Sequence, residues 1–172
     1  MNPADRRSYF FPLLALTIAL AGCGRAPIRP DRPASTAVFV PAATNAVDAS
    51  NAVLFRAMSL VGTPYHWGGN TPTSGFDCSG LVTYIFRDAA EVRLPRQSSV
   101  MGEIRGRELS RRQLQSGDLV FFAASHSISH VGVYVGEQRF VHAPNSGGTV
   151  RLDSLDGAWW KDHFVYGKRV FQ

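Results

Sequence analysis

Two cysteines, Cys23 and Cys78, are all that the 172-residue chain contains, which excludes a scaffold stapled by several disulfides. No apolar run reaches the roughly 20 residues that a helix needs to cross a hydrocarbon core. The run from Tyr9 to Ala21 falls short of that length. No Lys/Arg run with interleaved aromatics is present to track a nucleic-acid backbone, so nucleic acid is not an expected partner. Internal repeats are missing too, and the length leaves little room for a second domain. What is there suffices for one packed core, with 45% hydrophobic and 11% aromatic residues. A formal charge of +5 favours an acidic partner, such as an anionic membrane surface or a polyanionic polymer, without choosing between them.

Residues 1–22 read as a targeting segment, with Arg6 and Arg7 ahead of the apolar run. Leu20-Ala21-Gly22-Cys23 resembles the bacterial lipoprotein box, which implies removal of residues 1–22 and lipid modification of Cys23. Several acyl chains on one terminus give stable anchoring, whereas a single chain is marginal. Gly24 after the lipid cysteine, by analogy with Gram-negative sorting, implies the outer membrane, facing the periplasm. Residues 23–45 carry Pro27, Pro30, Pro33 and Pro41 without a hydrophobic period and read as a tether, which at about 3.1 Å per residue reaches on the order of 60 Å. Arg25, Arg29 and Arg32 lie in it, as headgroup contacts or as a solvated linker. With Cys23 assigned to lipid, Cys78 is left unpaired, and an unpaired thiol in an exported domain is a liability unless its reactivity is used.

The folded part is expected over residues 46–172. An apolar stripe predicts a helix from Ala46 to Val61, ended by Gly62-Thr63-Pro64. A glycine-bearing loop, Tyr65 to Asn70, leads toward a second helix that starts at Cys78, with Asp77 as N-cap and Leu81, Val82, Ile85, Phe86 and Ala89 on its apolar face. A short helix is read over Ser98 to Gly102. Strand-like alternation follows at Asp118 to Ala123, His130 to Val135 and Arg139 to His142, with Gly136-Glu137-Gln138 as the hairpin turn between the last two. Further strands are read at Val150 to Leu152 and Phe164 to Phe171, with Trp159 and Trp160 as packing aromatics. Helices followed by antiparallel strands define an α+β fold.

At a helix N-terminus, unpaired N–H groups and the dipole favour thiolate over thiol, which makes Cys78 a candidate nucleophile. A thiol of this kind needs a base and a group to orient that base. His130 and His142, both at strand positions, are the candidates. A metal site of Cys78, His126, His130 and His142 is the rival, although His126 and His130 stand four apart in a loop-to-strand stretch where their rings need not converge. His66 and His163 are read as surface or packing residues.

The segments Gly62-Thr63-Pro64-Tyr65-His66-Trp67-Gly68-Gly69, Phe76-Asp77-Cys78-Ser79-Gly80-Leu81-Val82 and Leu94-Pro95-Arg96 carry a resemblance that Gly117 to Phe122, His130 to Tyr134 and Phe140 to Ala143 continue. Together they resemble the NlpC-type cell-wall cysteine peptidases, a circular relative of the papain-like fold. The resemblance covers residue 49 to the C-terminus. It implies a nucleophile helix packed on a five- to six-stranded antiparallel sheet, with Cys78 as nucleophile, His130 as general base and His142 orienting it. It further implies that the Cys78 backbone N–H stabilises the oxyanion and that Tyr65 serves the oxyanion or a substrate amine. Asp77 and Ser79 are implied contacts for a charged end of the substrate, Asp77 also being the helix cap. Arg96 is left either to a substrate carboxylate or to a surface ion pair. The implied substrate is a peptidoglycan stem peptide, cut at a γ-D-glutamyl–diaminopimelate bond or at a D-alanyl–diaminopimelate cross-link. A lipidated member without a wall-binding module, none fitting before Ala46, is most similar to the endopeptidases that open cross-links. No cofactor or metal is implied, and a monomer is expected, with an adaptor or protease as regulator. The alternatives are a non-catalytic envelope scaffold, or an acyltransferase or amidase using the same triad.

Overall fold

The computed structural model describes residues 45–145 and 148–171. The expected leader, the lipid-bearing Cys23 and most of the tether lie outside the described residues. Helix α1 (Ala46–Ser59) opens the domain, its first turn capped by the Asn45 side chain, which accepts from the Val47 N–H. It ends two residues earlier than its apolar stripe predicts, because Leu60 and Val61 close with 3₁₀-type bonds onto Ala57 and Met58 ahead of Gly62. A two-residue hairpin, β1 (Asn70–Thr71) and β2 (Gly75–Phe76), leads directly into α2 (Cys78–Ala90). Asp77 caps α2 as expected, and Leu81, Val82, Ile85 and Phe86 are fully buried along its inner face. Short α3 (Ser98–Gly102) lies where the sequence places it.

The sheet is built from β3 (Glu108–Leu109), β4 (Leu119–Phe122), β5 (His130–Gly136), β6 (Arg139–His142), β7 (Arg151–Ser154) and β8 (Phe164–Lys168), with α4 (Trp160–His163) just before the last strand. All pairings are antiparallel, in the order β3-β8-β4-β5-β6-β7. Six strands agree with the expected five to six. β4, β5 and β6 fall within a residue of their expected bounds. The strand expected over Phe164 to Phe171 stops at Lys168, and β7 starts and ends later than its expected span. The β5–β6 turn places Glu137 and Gln138 at φ of 50° and 56°, the two left-handed positions of a type I′ turn. The Tyr134 hydroxyl accepts from the Gln138 N–H and holds that turn.

Alternation along the strands gives the sheet two different faces. Val131, Val133 and Val141 pack with Leu81, Ile85 and Phe86 of α2 and with Val53 and Ala57 of α1. Val120, Phe122, Tyr134 and Phe140 form a second cluster with Leu155, joined by Trp160 and Phe164. Trp160 is thus the packing aromatic that the sequence suggests, and Trp159, 42% exposed, meets it edge-on at 4.6 Å between ring centroids while stacking on His163 at 3.8 Å.

Candidate active site

Cys23 apart, each expected site residue lies among the described residues. The loop from Gly62 to Tyr65 is laced to the strand-like segment after β6, with Gly62 donating to Val150 O, Val150 to Thr63 O and Tyr65 to Gly148 O. This fixes Tyr65 beside the start of α2. Cys78 is the first residue of α2, and His130 opens β5 on the face away from the valines. Tyr65, Cys78 and His130 line one cavity of about 560 Å³, together with Trp67, Ser129, Arg151, Trp159 and Trp160.

His142 is fully buried behind His130, with Nε2 of His130 2.9 Å from Nδ1 of His142. Their rings meet edge-on, at centroids 5.0 Å apart. Gly132 of β5 lies close against β6, where an added Cβ would lie 2.7 Å from a Phe140 ring carbon, 2.9 Å from Val141 O and 3.3 Å from His142 Cβ. A side chain there would push β6, and His142 with it, away from His130.

Asp77, Ser79 and Arg96 form a separate cluster at the base of the helix rather than lining the cavity. Asp77 Oδ1 accepts from the Gly80 N–H at 2.7 Å, and the Arg96 guanidinium donates to both Asp77 oxygens at 2.8 and 2.6 Å and to Ser79 Oγ at 2.6 Å. Of the two uses the sequence leaves open for Arg96, the structure shows the ion pair, with Asp77. Burial is the largest single influence on the Asp77 carboxyl and raises it, but Arg96 together with the Gly80 and Gly68 N–H groups outweighs it and holds the carboxyl below its ordinary value. That pair therefore fixes the helix cap.

Asp153 and Arg151, which sequence reasoning missed, and Trp160, which it read only as a packing aromatic, complete the surroundings of the histidines. Asp153 Oδ2 lies 3.0 Å from His142 Nε2, and it also accepts from Trp160 Nε1 at 2.9 Å and from Arg151 at 2.9 and 3.1 Å. Only the β6–β7 register, which pairs His142 with Arg151 and Phe140 with Asp153, brings these groups together. A single carboxylate eleven residues past a histidine gives no signal by spacing.

Electrostatics correct one expectation. Burial, then the Asp77 charge, pushes the Cys78 thiol above its ordinary value, although N–H groups of Ser79, Val131 and Cys78 itself pull the other way. The helix terminus does act on the sulfur as expected, but removal from water outweighs it. Burial, then neighbouring His142, lowers His130 to about 3, and burial lowers His142 to about 4 despite Asp153. A thiol with a raised pKa stays protonated at neutral pH, and imidazoles with lowered pKa values stay neutral, so the resting state is a thiol beside a neutral base. Alkylation of Cys78 by iodoacetamide is accordingly expected to be slow at pH 7 and to accelerate only as the pH climbs past the ordinary thiol range. The basic form of the histidines is expected to persist on acidification through pH 6.5. Rapid alkylation at pH 6 would show a standing thiolate–imidazolium pair instead. The metal alternative has no geometric support: His126 is exposed, and among the described residues no group of three or more His, Cys, Asp or Glu side chains is placed to hold a metal ion.

A helix N-terminal thiol, set against an antiparallel sheet that carries its imidazoles, defines a papain-like α+β architecture. The chain belongs to the NlpC/P60 family, whose model matches residues 62–169. It is 39% identical over 125 residues to murein DD-endopeptidase MepH of Escherichia coli (strain K12), an alignment covering 71% of this chain and 46% of MepH. It is 36% identical over 124 residues to the murein DD-endopeptidase MepS/murein LD-carboxypeptidase of the same strain, covering 72% of this chain and 64% of that relative. The NlpC/p60 domain of peptidoglycan hydrolase SagA superposes with a TM-score of 0.62 at 28% identity, covering 69% of this chain and 97% of that domain. The chain thus spans about half the length of MepH and less than two thirds of MepS.

Proposed function

We propose that this chain is a cysteine endopeptidase that cuts stem peptides or cross-links of peptidoglycan at a diaminopimelate-containing bond. The observation that carries this reading is the shared cavity of Cys78 and His130, with His142 2.9 Å behind His130. Since His130 Nε2 is engaged by His142, Nδ1 is the nitrogen that takes the thiol proton. Cys78 Sγ then attacks the scissile carbonyl, and the proton passes from His130 Nδ1 to the leaving amine as the peptide bond breaks. Water attacks the resulting thioester, aided by the same imidazole, and releases the second product with the thiol restored.

The developing oxyanion needs preset donors, which can each contribute several kcal/mol in the transition state. The Cys78 backbone N–H at the start of α2 supplies one. The Tyr65 hydroxyl supplies another, because burial and then the Asp77 charge raise its pKa and keep it protonated as a donor at neutral pH. Asp77, Ser79 and Arg96 act at the base of the helix, where they hold the nucleophile's turn in register and offer a charged subsite edge. The exposed indole of Trp67, 84% accessible at the cavity rim, gives the polymer an apolar surface to lie on.

Among the relatives, MepH and MepS are named as DD-endopeptidases, which supports the D-alanyl–diaminopimelate cross-link as the first bond to test. The expected setting is the cell envelope, with lipid on Cys23 tethering the domain to the outer membrane and facing the periplasm. Digestion of defined muropeptides, monomeric and cross-linked, followed by mass analysis is expected to show cross-linked dimers converted to monomers. Unchanged dimers together with cut monomers would shift the assignment to the γ-D-glutamyl bond, and new amide products would reveal acyl transfer. In the same preparation the full chain is expected to partition with membranes, and its Cys23→Ser form with the soluble fraction.

A further inference from the structure

We propose that Asp153 is a positioning residue that sets the direction of the whole imidazole chain, so that the bare lone pair of His130 is presented on Nδ1. The catalytic consequence rests on the peptidase reading; the hydrogen-bond direction does not.

Asp153 Oδ2 faces three side chains. Trp160 Nε1 and the Arg151 guanidinium carry donors and no acceptor, and both point at that oxygen, at 2.9 Å for the indole and at 2.9 and 3.1 Å for the guanidinium. The oxygen is therefore an acceptor, and a carboxyl surrounded in this way is ionised. Arg151, by hydrogen bond and charge, together with the His142 hydrogen bond, keeps Asp153 below its ordinary carboxyl value against burial. His142 Nε2, 3.0 Å from the same oxygen, must then carry a proton. A neutral imidazole has one N–H, so His142 Nδ1 is an acceptor. His130 Nε2, 2.9 Å away, is in turn forced to donate. Its remaining nitrogen, Nδ1, is left with a lone pair and no proton.

The polarity of the chain thus runs from His130 to His142 to Asp153, each N–H donating toward the carboxylate. No proton moves along it. When Cys78 gives up its proton to His130 Nδ1, the new imidazolium keeps its Nε2–H bond to His142, and the Asp153 charge lies one hydrogen bond farther along the same line. Without the carboxylate, His142 is free to carry its proton on Nδ1 and donate to His130 Nε2. That tautomer puts the His130 proton on Nδ1, the one nitrogen left to take the thiol proton, and so blocks proton acceptance.

The test is ¹⁵N NMR of histidine-labelled full chain at pH 7, which distinguishes Nδ1–H from Nε2–H tautomers, in parallel with kcat and KM on cross-linked muropeptides. In the wild type both His130 and His142 are expected as Nε2–H tautomers. A wild-type His142 that is cationic or Nδ1-protonated overturns the proposal whether or not the protein is active. Asp153→Leu is expected to mix the tautomers of both rings and lower kcat about 10- to 100-fold, with KM changed less than about twofold. Asp153→Asn keeps an acceptor oxygen and is expected to retain the Nε2–H signatures and most of kcat. Unmixed tautomers in a folded Asp153→Leu protein, or equal losses in both variants, overturn the proposal. A wild type with the expected tautomers but no cleavage of any muropeptide defeats the peptidase reading and leaves the Asp153 assignment standing.

Discussion

Cys78→Ala is expected to abolish release of muropeptides from purified sacculi, with kcat reduced on the order of 10⁵- to 10⁶-fold, the loss seen when a covalent nucleophile is removed. The fall is large because alanine eliminates the acyl intermediate itself, and neither His130 nor the oxyanion donors can substitute for the missing bond to carbon. Folding is expected to survive. Alanine removes only the sulfur at a residue of intermediate exposure, Leu81, Val82 and Ile85 make the core contacts of α2, and Asp77 caps the helix through Gly80 rather than through position 78. A far-UV spectrum and thermal midpoint near those of the wild type, beside silent turnover, is the expected pair of results. Muropeptide release equal to that of the wild type would defeat the peptidase reading and leave a scaffold.

Gly80→Ala sets two physical effects against each other. Helix propensity favours the change by about 1 kcal/mol, since glycine is the costlier residue within a helix. Sterics oppose it, because the new Cβ would lie 2.0 Å from Gly69 O, 3.0 Å from Asp77 Oδ1 and 3.1 Å from the Arg96 guanidinium. Gly69 O is backbone, and it already accepts from the Asp77 N–H at 3.1 Å. Relief therefore requires the whole Trp67–Gly69 loop to move by an ångström or more, while overpacking typically costs about 1–3 kcal/mol and sometimes more. The clash is expected to win, lowering stability by about 2 kcal/mol or more in urea unfolding. Activity is expected to fall about 100-fold, as a displacement of that size misplaces Cys78 and Tyr65. A variant as stable as the wild type would show that the loop yields easily and that the close approach is not a constraint.

What the sequence made legible was local. The Asp77 cap, the apolar face of α2 and the β5–β6 hairpin each depend on residues a few positions apart, and each lies where those residues put it. The alternation of His130 with Gly132 and Tyr134 correctly set the histidine on the face away from the valines. The short strands β1, β2 and β3 escaped notice because two residues carry no measurable period. The contacts of Asp153 and Trp160 around His142 escaped for a different reason: they form only through the β6–β7 register and the placement of α4, neither of which is written in any one segment. The raised thiol pKa was hidden in the same way, since the helix terminus is a local feature whereas burial of the thiol is a product of the tertiary fold. Motif resemblance supplied the family without supplying these contacts.

The two-faced sheet has a consequence for how the enzyme would fail. Cys78 belongs to the layer in which α1 and α2 press on the valines, while His130, His142 and their aromatic neighbours Phe122, Phe140 and Trp160 belong to the other. Nucleophile and base are thus mounted on packing units at opposite faces of one sheet, and they share a cavity beside the start of β5. Any slackening between those units separates the reacting atoms before either unit melts, so turnover doubles as a gauge of interlayer fit, and heat or denaturant should silence the enzyme earlier than it erases the helix signal.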